Sequence, residues 1–120
     1  MKDISTIKSK SVLKIVLEVR KRLENIFKNR LKSVILFGSH ARGDYNSQSD
    51  IDIMALVDLN NEELSKCYGV VTDAIFDLEL EYGIIISVIK KNYQNYNKYL
   101  DILPFYKNVS NQGVIIYERN

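Results

Sequence analysis

Two aspartates, Asp50 and Asp52, stand one residue apart at the entrance to an apolar run, and ten residues separate Asp50 from the upstream pair Gly38-Ser39, which closes another such run. Carboxylates at i and i+2 of a strand project from the same face. Burying both is costly unless a cation compensates. Magnesium takes oxygen ligands, accepts one or two carboxylates, and fills its octahedron with phosphate oxygens and water. A Gly-Ser turn at a strand end offers backbone N–H groups and a hydroxyl to a phosphate. Side by side, the two devices suit a metal-bound nucleoside triphosphate and in-line displacement at phosphorus. Arg42 lies close enough in the chain to reach a phosphate. His40 can be read as a second such group or as an exposed turn residue. Alone, the aspartate pair also suits a strand cap with Asx-turns; beside Gly38-Ser39-His40-Ala41-Arg42-Gly43 the metal reading is the stronger.

Elements on either side must position these groups. From about Ile7 to Asn29, Val12, Val16, Val19, Leu23 and Ile26 recur at spacings of four and three, with Leu13, Leu17 and Phe27 widening the stripe. This predicts an amphipathic helix with a basic outer face, capped by Ser5 or Thr6. Ser33 to Phe37 reads as a buried strand, His40 to Arg42 as a helical turn closed by Gly43, and Asp50 or Ile51 to Val57 as an interior strand. For Gly38-Ser39 and the aspartates to meet one ligand, these strands must be antiparallel neighbours. Asn60 and Glu63 form a capping-box pattern that opens a helix running to Tyr82, with Gly83 as its stop. Ile84 to Ile89 reads as a third strand. Asn92 caps a helix to about Leu100, Pro104 introduces a short helix over Phe105 to Asn111, and Val114 to Tyr117 forms a last strand after Gly113.

With 120 residues, 46% hydrophobic and 27% charged, the chain fits one globular domain, residues 1–120. A net charge of +2, from 17 basic and 15 acidic residues, is too even to imply direct nucleic-acid binding. Ten basic residues between Lys2 and Lys32 nevertheless crowd the first quarter. They read as a solvated helix face, or alternatively as a docking surface for an acidic partner or RNA. The lone Cys67 excludes an internal disulfide and a CxxC metal site, and reads as a small buried apolar residue. No apolar run approaches the roughly 18 residues of a membrane span, and Met1-Lys2-Asp3 opens no signal-peptide pattern, so a cytoplasmic location is expected.

The run Leu36 to Gly43, followed by Asp50-x-Asp52, is similar to the signature of the DNA polymerase β-like nucleotidyltransferases. It most resembles the small minimal nucleotidyltransferases of bacteria and archaea. Chain length, element order and the Leu103-Pro104-Phe105-Tyr106…Gly113-Val114 tail share that likeness. The resemblance implies an α/β (α+β) fold, with a mixed sheet of about four strands and helices packed mainly on one face. It implies ATP as substrate, the triphosphate on Gly38 and Ser39 with Arg42 nearby, and magnesium on the catalytic pair Asp50 and Asp52. It further implies a HEPN-domain partner, whose tyrosine receives AMP in some toxin–antitoxin pairs.

Active members of the family carry a third carboxylate on the strand after the long helix. Here the corresponding residue is Ser87, which removes a metal ligand and a base. Two other readings therefore stand beside the transferase: a nucleotide-binding antitoxin that acts by complex formation alone, and a transferase for a small molecule such as an aminoglycoside. Tyr93, Tyr96, Tyr99, Tyr106 and Tyr117 suggest a partner surface or a homodimer.

Overall fold

The computed structural model describes residues 1–119. Its helices are α1 (Lys10–Phe27), α2 (Ser39–Arg42), α3 (Asn61–Ser65), α4 (Tyr68–Tyr82), α5 (Tyr93–Tyr99) and α6 (Pro104–Gln112). Its strands are β1 (Leu31–Phe37), β2 (Ile51–Val57), β3 (Ile86–Asn92) and β4 (Val114–Glu118), ordered β3-β2-β1-β4 in one sheet. β1 runs antiparallel to β2 and β4, whereas β2 and β3 are parallel. The mixed sheet and the antiparallel central pair are those expected from the sequence.

α1 turns Val12, Val16, Val19, Leu23 and Phe27 into the core, joined there by Ile15. Its cap is Ser9, whose hydroxyl accepts from the Val12 N–H, and not Ser5 or Thr6. Those two residues are consumed in a separate 3-10 turn, Ile4–Thr6, in which the Asp3 carboxylate accepts from the Ser5 N–H. The two arginines of the outer basic face are engaged in ion pairs. Arg20 meets Glu24, and Arg22 meets both Glu18 and, across to α4, Asp77.

Because side chains alternate along strands, the sheet has two distinct apolar faces. Val34, Leu36, Ile51, Ile53, Ala55, Val57 and Ile86 pack under the long helices α1 and α4. Ile35, Met54 and Leu56 pack under the shorter α5 and α6, through Tyr96, Tyr106 and Val109. Tyr96 and Tyr106 are therefore core residues, and Tyr117 lies under the Arg20 guanidinium, 4.8 Å from its ring centroid. Little of the C-terminal tyrosine set is left as a free surface.

Two boundaries differ from the sequence expectation. The helix expected over residues 61–82 is interrupted at Lys66 and Cys67, where Cys67 is half-buried and its thiol donates to the Glu63 carbonyl at 3.4 Å. The third strand starts at Ile86 and runs to Asn92, two residues later than the apolar run begins. Gly83, at φ +63°, and Ile84 both return their N–H groups to the Glu79 carbonyl, so this helix exit uses Ile84 before the strand can begin. Pairing with all seven residues of β2 then carries β3 through Lys90 and Lys91.

Leu36 is fully buried opposite Ile53, at the end of β1 that leads into Gly38. Leu36→Ala is expected to cost about 2–5 kcal/mol in chemical denaturation, the range for emptying a tightly packed core position.

Candidate active site

The site is built where β1 ends and β2 begins. Phe37 pairs with Asp52 across the antiparallel ladder, which places Gly38 beside the Asp52 side chain. Gly38 has φ +74° and ψ −158°, a region open essentially only to glycine. A Cβ built on it would lie 2.3 Å from Asp52 Oδ2, closer than any real contact. Glycine is thus required twice over, by its backbone conformation and by the carboxylate seated against it.

After Gly38 the chain makes the single turn α2. The Gly38 carbonyl accepts from Ala41 and Arg42 N–H at 3.1 Å each, and Gly43 closes the turn on the Ser39 carbonyl at 2.8 Å. Among the described residues, the Ser39 hydroxyl and the N–H groups of Ser39 and His40 have no partner. A terminal anion is their natural complement. Arg42 is exposed and meets Asp44 at 3.2 Å. Its positive charge also acts on Asp52.

His40 is not an exposed turn residue. It is nine-tenths buried, stacks on Tyr45 at 4.5 Å, and holds Nε2 3.4 Å from the Ser49 carbonyl. It clasps the connecting loop immediately ahead of Asp50. The loop is otherwise folded by its own polar groups: Asn46 Oδ1 accepts from Gln48 N–H at 2.8 Å, and Ser49 Oγ accepts from Asn46 N–H at 3.0 Å. Lys2 is a contributor that sequence reading missed. It bridges to β4 and sends its ammonium to the Ala41 carbonyl at 2.5 Å, pinning the end of α2. Nothing in hydrophobic periodicity distinguishes it from the other N-terminal lysines.

Asp50 is exposed just before β2, and Asp52 is half-buried inside it. Neither carboxylate accepts a hydrogen bond from the described residues. Burial raises the Asp52 pKa above the ordinary carboxylate value, the Asp50 charge adds to the rise, and His40 and Arg42 partly oppose it. On the other side of Asp52, β3 places Ser87 in register. No group of three or more His, Cys, Asp or Glu residues that could hold a metal is found among the described residues. The position that sequence reading assigned to the third carboxylate is indeed next to Asp52, and it is neutral.

Two consequences are measurable. Gly38→Ala should lose about 1–3 kcal/mol of stability from backbone strain alone, and calorimetry should also show weakened nucleotide binding as Asp52 is displaced. The raised pKa of Asp52 means that folding favours its protonated form, so its stabilising contribution is present in acid and lost as pH rises through that pKa. In EDTA at pH 7, Asp52→Asn should therefore melt above the wild type. The difference should close as the pH falls and the wild-type carboxyl also takes up a proton.

Known proteins give this geometry its context. The nucleotidyltransferase-domain family model matches residues 16–119. A Methanocaldococcus jannaschii protein with the provisional name of protein adenylyltransferase MJ0604 is 35% identical over 104 residues, which is 87% of this chain and 96% of that protein. A crystal structure from Sulfolobus solfataricus, provisionally described as a nucleotidyltransferase, superposes with a TM-score of 0.57 at 22% identity, covering 95% of this chain and 93% of the other. A toxin–antitoxin structure with AMP-PNP gives 0.52 at 18% identity, covering 87% and 74%. The two structural likenesses speak for the fold, whereas the family match and the archaeal relative extend through Gly38-Ser39 and Asp50-x-Asp52 to nearly the whole chain. The chain belongs to the nucleotidyltransferase-domain family.

Proposed function

We propose that this protein transfers AMP from ATP, with magnesium, to a tyrosine hydroxyl of a HEPN-domain partner, acting in the cytoplasm as the antitoxin of a toxin–antitoxin pair. The observation that carries this reading is the seating of Asp52 against Gly38, which brings the phosphate-binding turn and the carboxylate pair to one point. The name of the archaeal relative supports a protein acceptor, and the structural neighbour described as a toxin–antitoxin pair supports the partner.

Asp50 and Asp52 fit a divalent cation on chemical grounds. Both are hard oxygen donors without an intramolecular hydrogen bond, and one is held partly out of water. Magnesium, when bound, supplies positive charge that offsets the negative charge of the reacting phosphates. Ser39 and the free N–H groups of α2 hold the far end of the triphosphate, and Arg42 adds a mobile cation at the same end. The acceptor oxygen forms its bond to the α-phosphorus as the bond to the bridging oxygen breaks. Pyrophosphate leaves, and the hydroxyl proton passes to solvent. With Ser87 level with Asp52, no carboxylate of β3 takes up that proton.

A second reading is favoured by the same serine: capture of the partner without turnover. The two separate in one assay with labelled ATP, magnesium and the product of the neighbouring gene. Transfer should be present in the wild type and absent in Asp52→Asn. Ser87→Asp should raise the rate by about 10²-fold, the low end of general-base assistance. Label no higher than in Asp52→Asn sinks the transferase reading. A complex that persists and still silences the partner in an Asp50/Asp52 double variant establishes capture.

A further inference from the structure

One step beyond Asp52, the sheet ends at an open edge. β3 is the outer strand, and Ser87 lies level with Asp52. In a parallel ladder, alternate residues bond to a given neighbour. The Ile85 carbonyl accepts from Ile51 N–H at 2.9 Å, so residues 85, 87, 89 and 91 address β2 while 86, 88 and 90 turn their main-chain groups outward. Glu79 Oε2 accepts from Ile86 N–H at 2.9 Å. The outward N–H groups of Val88 and Lys90 have no partner among the described residues.

The edge opens onto a groove of about 260 Å³ whose other wall is α4, through Tyr68, Thr72 and Ile75. Tyr68 in that wall is 68% exposed, and Phe76, four residues beyond Thr72 on the same helix, is 56% exposed. At one end the Lys90 ammonium lies 5.1 Å from the Tyr68 ring centroid, with no carboxylate in ion-pair range among the described residues. Lys91 follows it. The groove therefore offers main-chain hydrogen bonds, an apolar wall and an uncompensated positive end. These fit an extended chain segment that carries an acidic side chain.

We propose that the β3 edge takes an extended, acidic segment of the acceptor protein as a fifth strand, which delivers its tyrosine across Ser87 to Asp52. This rests on the reading of the site as a transferase acting on a protein tyrosine. Side chains on one face of the added strand pack on Tyr68 and Phe76, and an acidic one meets Lys90. The alternate face is shared with Ser87 and Asp52. Two strand spacings, about 10 Å, separate the added strand from β2; a tyrosine side chain carries its hydroxyl well over half of that distance toward the nucleotide at Asp52, and a serine side chain does not. The short side chain of Ser87 leaves that path clear.

Val88→Pro tests the edge selectively. The N–H it removes faces outward, so the ladder to β2 is retained. Lys90→Glu tests the charge, with Lys90→Arg as its conservative control. With the partner protein of the labelling assay, Val88→Pro should raise KM for the acceptor about tenfold, as expected for loss of a main-chain pairing. Lys90→Glu should raise it, and Lys90→Arg should leave it unchanged. Affinity for magnesium-ATP and kcat should not change, and the melting temperature of the two Lys90 variants should not either. In the wild-type protein, addition of the partner should slow amide exchange at Val88 and Lys90.

Slowed exchange without AMP transfer upholds the docking and overturns the transferase reading. Transfer that is indifferent to Val88→Pro and Lys90→Glu, with exchange at the two amides unchanged, overturns the docking and leaves the transferase reading intact. A second copy of the chain found on this edge, as a dimer in sedimentation that Val88→Pro dissolves, also overturns it.

Discussion

The contact between the Asp52 carboxylate and the bare Cα of Gly38 is the constraint around which this structure is arranged. It fixes the register of the central strand pair, because only the pairing of Phe37 with Asp52 brings the two together. It requires a backbone conformation that glycine alone adopts without strain. It also requires the intervening loop to return the chain from Gly43 to Asp50 at the right height. The buried imidazole of His40 and the Asn46–Ser49 turn meet that requirement at one end. Lys2, drawn in from the chain terminus, holds the other. The two-sided core beneath makes the register hard to change, since a slip of one residue would exchange the Ile35, Met54 and Leu56 face for the Val34, Ile53 and Ala55 face.

Much of this was legible in the residues. Turn chemistry and caps act over a few positions, so Gly43, Asn60 with Glu63, Asn92 and Pro104 all mark the element ends they were expected to mark. The interior character of β1 and β2 followed from apolar side chains on both faces. What was not legible depended on partners distant in sequence. Ile84 carries an apolar strand pattern, yet the helix exit at Gly83 takes it, and β3 begins only at Ile86. Lys90 and Lys91 carry none, yet they are drawn into β3 by the length of β2. Ser5 and Thr6 are capable caps that lie one turn too early.

At the site, the same division holds. Residue types and spacing pointed to Gly38, Ser39, Arg42, Asp50 and Asp52, and the fold brings them to one place. The burial of His40 was not foreseeable, because a histidine in a polar turn has no sequence mark that distinguishes a clasp from a ligand. Its only local clue is Tyr45, five residues on, and nothing short of the folded loop shows that the rings stack.

Ser87 connects the energetics to the chemistry. Asp52 already bears an unfavourable charge state in the metal-free fold, from burial and from Asp50. A third carboxylate on the adjoining strand, about 5 Å away, would add roughly 3 kcal/mol of repulsion at an effective dielectric of about 20. That cost falls on the metal-free protein and is recovered only with a cation bound. A neutral residue at this position therefore spares the unliganded fold that repulsion, and under the proposed function the expense would be a weaker hold on the metal and a missing proton acceptor. Under the proposed function, a chain with two carboxylates gives up speed before it gives up binding, because the groups proposed to meet the triphosphate lie on α2 and none of them lies on β3. In that reading nucleotide recognition belongs to α2, and a carboxylate introduced at residue 87 of β3 would add a proton acceptor while leaving α2 in place.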